Sequence, residues 1–471
     1  MSGPRFGYSV ALVALLTASV VHAQTIVAPP TIILTNYDRV PVGQREGLEA
    51  GAYVARTDDA AATWFNPAGL GKSENSALNA SANAYDRTSI NLAGLGASTG
   101  RSNISTIATL FGFVIGGDVL RSNRWRLGFS VTQPIGWQPS NLNLTIPLDS
   151  GRERVAYSTA VSLSVTRPEL GVAFTPGGVS RGKLRFGGRM GFAVTSLSQA
   201  VGLSDRLTTT DSAVSALQGF LGGGSAWSLL FTGGVQWDAT PHLSVGARLV
   251  APSIALFGSS QLAYQNSIYG VGEYRDLVFR DSSGSFEYRQ PFELTAGAAL
   301  KQHDHELEFD LHYYAAISPY DLYASTVPGT LTTQVPGGPT TVTQVPFAPT
   351  MNSARAIVNV AVGGNYQVSR GFRLHAGVST DQSPVDVDSL SVFRKVNLSH
   401  ITAGLSLTGV KGLSGSVGFA YSFGSNTRNT IGLPEGGQGT ATKLTVKTLN
   451  VMFAFSFAFG ASGGTPPSSG R

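Results

Sequence analysis

The chain has 471 residues, with 33 basic and 28 acidic side chains, 57 glycines and no cysteine. Charged residues are 13% of the total, about half the usual share, which argues against a solvated helical protein, a coiled coil or a charged disordered chain. Without cysteine there is no thiol catalysis, disulfide staple or cysteine zinc site, and without a basic run nucleic-acid binding has no electrostatic footprint.

The chain opens with Arg5, the apolar run Tyr8–Val21 and the small-residue site Val21-His22-Ala23. This pattern predicts a secretory signal peptide over residues 1–23, because the run is short of the ~20 apolar residues of a spanning helix. Nothing after Ala23 has the pattern of a transmembrane helix, so a membrane-embedded form would cross as strands.

Residues 24–75 show no period-two alternation. Within them 45–62 is a small-residue segment compatible with a short helix, running into Trp64-Phe65-Asn66-Pro67-Ala68-Gly69-Leu70, where Asn-Pro marks a turn. Trp64, Phe65 and Leu70 are too apolar for a disordered tail, so the segment is expected to plug a lumen.

Fourteen candidate strands follow, near 77–97, 103–116, 124–136, 154–175, 184–200, 226–238, 243–255, 286–300, 305–317, 354–367, 372–383, 393–409, 413–424 and 443–460. In Leu449–Gly460, Phe453, Phe455, Phe457 and Phe459 share one face, with Ala454, Ser456 and Ala458 on the other. A soluble sandwich would load the second face with Lys and Glu. An apolar face opposite Gly, Ser, Thr and Ala instead fits a transmembrane barrel with its apolar side toward lipid.

Connections after every second strand are brief, as in Asp118–Arg121 and Ser369–Gly371, whereas 201–225, 256–285, 318–353 and 425–442 read as long outer loops. That alternation is expected of an outer-membrane barrel. Trp227 and Trp237 lie ten residues apart, about 25 Å along a tilted strand, the height of the apolar band between aromatic girdles; Trp125 and Trp137 bracket another strand. The fold class is therefore all-β: an antiparallel transmembrane barrel of about fourteen strands over 76–460, an N-terminal hatch over 24–75 and a tail over 461–471.

The run Thr57-Asp58-Asp59-Ala60-Ala61-Ala62-Thr63-Trp64-Phe65-Asn66-Pro67-Ala68-Gly69-Leu70 resembles the luminal hatch of FadL-type outer-membrane transporters. Further resemblance lies in Leu127-Gly128-Phe129-Ser130 with Pro134-Ile135-Gly136, in Leu243–Arg248, and in His375–Ser379 with Ser383-Pro384-Val385. The resemblance implies a plugged barrel that passes long-chain fatty acids or other apolar molecules passively, from an outer apolar site to a luminal pocket and out through a lateral opening. It places Asn66, Pro67 and Ala68 in the hatch turn. It also implies a monomer in contact with outer-membrane lipid and lipopolysaccharide, inserted by the barrel-assembly machinery, which would read Phe459 ahead of the tail.

Three further features bear on mechanism. Residues 211–222 fit a capped helix in an outer loop, with Val214, Leu217, Phe220 and Leu221 as an apolar capture face or a face packed on the rim. Pro134 removes a ladder donor from the third strand, consistent with a lateral gate or a plain strand end. Strand parity points Arg124, Arg126, Arg185, Arg189, Arg248, Glu306, Glu308, Asp310 and His312 inward, where Arg185, Arg189 or Arg248 would meet a ligand carboxylate or brace the barrel through ion pairs.

No cofactor, metal or catalytic constellation is predicted. His303-Asp304-His305 has metal-like spacing but lies in a periplasmic turn with no third ligand nearby, and no outward Ser–His pair of a lipid hydrolase stands out. A transporter of hydrophobic compounds is the leading reading, ahead of a general polar porin and a lipid-modifying barrel enzyme.

Overall fold

The computed structural model describes residues 36–38, 41–73, 75–93, 97–103, 107–137, 142–148, 153–178, 182–208, 213–270, 274–385, 395–409, 412–430 and 441–459. The expected signal peptide and the tail fall outside these residues.

Fourteen antiparallel strands close into one barrel. The first half comprises β1 (Ser76–Ala93), β2 (Ala97–Asn103 and Ile107–Ile115), β3 (Trp125–Trp137 and Leu142–Leu148), β4 (Glu153–Phe174), β5 (Leu184–Thr208), β6 (Ala213–Asp238) and β7 (Leu243–Val250 and Ile254–Tyr269). The second half begins with β8 (Tyr274–Phe286 and Glu293–Gln302), β9 (His305–Tyr314, Ile317–Ala324 and Gly329–Gln334) and β10 (Thr340–Val345, Thr350–Ala354 and Ile357–Ser369). It ends with β11 (Phe372–Asp381), β12 (Leu398–Thr408), β13 (Leu413–Thr430) and β14 (Ala441–Phe459). β14 pairs back onto β1 from Ser76↔Phe459 to Ala93↔Lys443, which removes the free edge an open sheet would carry.

Parity is as the alternation requires. Phe453, Phe455, Phe457, Trp227 and Trp237 are exposed on the outer face, while Arg126, Arg185, Arg189, Arg248, Glu308, Asp310 and His312 are buried inside. Charge on the lipid face would cost about 2–4 kcal/mol near the midplane, so the lumen is its stable place. Arg124 is the exception: it precedes β3 and is exposed in the turn.

The outer loops are different from expectation. Residues 201–208 and 213–225 continue β5 and β6, paired from Ala200↔Leu221 to Thr208↔Ala213. Residues 256–269 and 274–285 likewise belong to β7 and β8, paired up to Tyr269↔Tyr274, and 329–345 form a hairpin in which Leu331 faces Thr343. The expected capture helix is therefore strand. Leu217 and Leu221 are exposed in phase with Trp227, and Phe220 is buried on the opposite face; Val214 belongs to the same strand. Leu217 and Leu221, four apart, share a face in either conformation, and Gly219 with Gly222–Gly224 hides the alternation that decides between them.

The hatch lies inside the barrel. It contains α1 (Arg45–Leu48), α2 (Ala62–Phe65) and a 3-10 helix over Pro67–Lys72. The helix allowed for over 45–62 is cut to one turn by Ala50 and Gly51, both at positive φ.

Cross-strand glycine pairs in the wall make room for it: Gly128↔Gly171, Gly187↔Gly234, Gly246↔Gly297, Gly363↔Gly377 and Gly404↔Gly418. A Cβ on Gly187 would lie 2.2 Å from the Ala68 nitrogen, one on Gly246 2.4 Å from the Val54 carbonyl oxygen, and one on Gly363 2.1 Å from the Glu49 carbonyl oxygen. These glycines permit hatch backbone to approach wall backbone at distances no other residue allows.

Candidate functional site

The hatch turn is organised by Asn66, which is fully buried. Its backbone is extended, its side-chain oxygen accepts from the Ala68 N–H (3.2 Å), and Pro67 opens the 3-10 helix with φ already set. The Asn66 amide then donates to the Val54 carbonyl within the hatch (2.8 Å) and to the Val235 carbonyl of β6 (3.0 Å). Gln236 adds a bond from its amide to Thr57 Oγ1 at 2.7 Å. One side chain thus caps the turn, closes the hatch loop and ties it to the wall.

Two ionic clusters hold the hatch. In the first, Arg56 of the hatch pairs with Glu49 and with Glu308 (2.7 Å) and Glu306 (3.4 Å) of β9. Asp310 accepts from the Tyr53 and Val54 N–H groups at 2.8 and 3.1 Å, and Glu308 accepts from Ala55 N–H at 2.6 Å. Wall carboxylates here satisfy hatch donors that have no secondary structure of their own. Glu46 of α1 is the contrasting case. Burial, reinforced by Asp59, pushes its carboxyl up to about 8 against the opposing pull of Arg45.

In the second cluster three guanidiniums surround the indole of Trp64, with Arg167, Arg189 and Arg248 at 4.9, 5.3 and 5.9 Å from its ring centre. Arg189 pairs with Glu169 at 2.9 Å and donates to the Thr63 and Trp64 carbonyls. Arg248 pairs with Glu293 and donates to the Trp64 carbonyl at 2.7 Å, and Arg167 donates to Gln290. The expected luminal arginines Arg189 and Arg248 therefore converge on the hatch. Arg185 stands apart, bound to Asp238 at 2.7 Å and packed beside Gly71. Arg167, Glu169 and Glu293 carry much of this cluster and were not singled out in the sequence.

Between hatch and wall is a cavity of about 70 Å³ lined by Val42, Trp64 and Phe65 of the hatch, Pro134 of β3, His312 of β9 and His400 of β12. Pro134 marks a break in the wall. β2 and β3 pair only from Ile115↔Leu127 to Leu110↔Thr132, and the β3–β4 register shifts between Thr132 and Ile135. Among the described residues, Ala97–Asn103 then pairs with β1 and Leu142–Leu148 with β4, and no pairing joins these two segments.

Above the hatch the inner faces of the outer hairpins form an apolar vestibule, with Val161, Leu197, Phe220, Leu262, Leu277 and Phe279 among its buried residues. A second cavity of about 490 Å³ lies there against Val201, Phe220, Tyr264 and Phe279. Phe220, placed by sequence in a capture helix, reaches the vestibule from a strand. Among the described residues no group of His, Asp and Glu is arranged to hold a metal ion.

No protein-family model and no curated protein matches the chain. Solved structures do. A FadL homologue of Pseudomonas aeruginosa superposes with a TM-score of 0.59 at 14% identity, over 90% of this chain and 100% of that one. The toluene transporter TbuX of Ralstonia pickettii gives 0.54 at 17% identity, again over 90% and 100%. CymD, a monoaromatic hydrocarbon channel, gives 0.53 at 14%, over 90% and 99%. All three are transport proteins rather than enzymes. At these identities the likeness bears on architecture, and the chain has the fold of FadL-type channels, a hatch-plugged barrel of fourteen strands.

Proposed function

We propose that the protein is a channel for passive uptake of hydrophobic compounds across the outer membrane of a Gram-negative cell, exported by its signal peptide and working as a monomer. The observation that carries the proposal is the order of features along the lumen: an apolar vestibule, a cavity at the hatch, and a break in wall pairing at Pro134 beside that cavity. An apolar solute leaves water for the vestibule at about 25 cal/mol per Å² of buried surface. It moves down to the hatch cavity once Trp64 and Phe65 shift, and leaves sideways past Pro134 into the membrane, where no water-filled route is needed.

A long-chain fatty acid fits the 490 Å³ vestibule far better than the 70 Å³ cavity, which takes no more than a chain end until the hatch moves. A general porin is disfavoured because the hatch occupies the lumen through buried ion pairs. The test is equilibrium binding of a fluorescent long-chain fatty acid to the refolded barrel, competed with alkanes and alkylbenzenes, beside single-channel conductance. Saturable, competable binding with low conductance is expected. High conductance with no saturable apolar ligand would favour the porin.

A further inference from the structure

The hatch cavity has one polar end, where one ring lacks a partner on both of its nitrogens. His312 is 8% exposed, lines the cavity from β9, and neither ring nitrogen has a hydrogen-bond partner. Its polar neighbours are engaged except at two atoms, His400 Nε2 and Asp381 Oδ2, which lie 3.5 Å apart without a hydrogen bond. Asp38 accepts from the Tyr314 hydroxyl and the Asn359 amide, both at 2.7 Å, and stands 4.0 Å from His312 Nδ1. His400 bonds Ser422 through Nδ1 at 2.6 Å and faces Asp381 at 3.5 Å through Nε2, and Thr402 donates to the Leu48 carbonyl at 2.7 Å. Across the cavity the surfaces are Val42, Trp64, Phe65 and Pro134.

A buried imidazole with no partner is costly, and a ligand that supplies the missing bond recovers that cost on binding. The bond's character follows from the surroundings. Asp38 and Asp381 place two carboxylates at this end, so an ionised ligand head would meet like charge. A hydroxyl, which donates to one imidazole nitrogen and carries no charge, meets none. An alkane or alkylbenzene leaves His312 unsatisfied.

We infer that the hatch cavity, on the transporter reading above and once Trp64 and Phe65 shift to admit a ring, selects apolar molecules bearing one neutral hydroxyl, such as phenols or alcohols, with His312 as the specificity-determining residue. The experiment is equilibrium dialysis of ethylbenzene, 4-ethylphenol and 4-ethylbenzoate against the refolded full-length barrel. The wild type is expected to bind 4-ethylphenol about tenfold more tightly than ethylbenzene, roughly one buried hydrogen bond, and 4-ethylbenzoate least. His312→Phe should bring 4-ethylphenol down to ethylbenzene while ethylbenzene holds or improves, and His312→Gln should restore part of the preference.

The wild-type series needs no variant to fold, and heat-modifiable gel mobility checks the variants. Equal binding of 4-ethylphenol and ethylbenzene, tightest binding of the benzoate, or a preference that survives in a folded His312→Phe would each overturn the inference and leave the transporter reading standing. Saturable binding of none of the three, or of any fatty acid, by the folded barrel would overturn both.

Discussion

Arg248 holds Trp64 by two parts of the same residue: it donates to the Trp64 carbonyl at 2.7 Å, and its guanidinium lies 5.9 Å from the Trp64 ring centre. A wall strand thereby fixes both the backbone and the ring of the hatch residue that borders the cavity, while Glu293 balances the buried charge.

Removing Arg248 alone leaves Glu293 buried without its partner. Arg248→Ala is expected to destabilise the barrel by about 3–5 kcal/mol, and Arg248→Met with Glu293→Gln by much less, since the stranded charge is then gone. Urea unfolding of the two variants in detergent checks the difference. Equal losses would show that the ion pair, rather than the uncompensated carboxylate, accounts for the effect.

Asn66→Ala removes the cap and both amide bonds to Val54 and Val235 at once. A loss of about 1–3 kcal/mol is expected, concentrated in the hatch. Hydrogen exchange should rise in 53–70 while the β13 and β14 amides keep their protection. Uniform acceleration over the barrel would refute a hatch-local role.

Gly187→Ala places a methyl 2.2 Å from the Ala68 nitrogen, so the hatch has to move. Ion conductance is expected to rise severalfold in a barrel that still inserts. Gly233→Ala, with nothing within 4 Å of its Cβ, is the matched control and should conduct as the wild type does.

The strand reading of 213–225 makes a labelling prediction that the cysteine-free sequence makes simple to test. Leu217→Cys and Leu221→Cys should react readily with a water-soluble maleimide, while Phe220→Cys, on the inner face, should react at least tenfold more slowly. A helix would put all three on adjoining parts of one surface and give similar rates.

Glu46 has its carboxyl raised by burial from near 4.5 to about 8. A raised folded-state value means the hatch is most stable below the unfolded value and loses that contribution as pH climbs through 8, with little further loss above it. Exchange protection of 44–52 should fall between pH 5 and roughly 8 in the wild type, and Glu46→Gln should flatten the slope. A hatch insensitive to pH in the wild type would remove Glu46 from this role.

Much of the barrel is legible in sequence because lipid outside and a packed lumen inside impose opposite demands on alternate residues. Phe453 to Phe459 shows this by period alone. The 3-10 turn at Asn66-Pro67 is legible because its chemistry is local. The outer hairpins are not, since Ala213–Ser225 is strand by virtue of partners in β5 and β7 that no local window contains. The ionic clusters escape for the same reason. Arg56 meets Glu308 across 252 residues, and Asp38 meets Tyr314 across 276, and of these four only Glu308 carried a signal, its inward parity in a strand.

The paired glycines of the wall have a mechanical consequence. At Gly187, Gly246 and Gly377 the nearest hatch atoms are all main chain, so at these points bare main chain meets bare main chain. Interlocked side chains have to change rotamer before one surface passes another, but a smooth contact needs only its hydrogen bonds and ion pairs released. The hatch is therefore seated in two ways: gripped where charges meet and where wall arginines enclose Trp64, and smooth where glycine lines the bore.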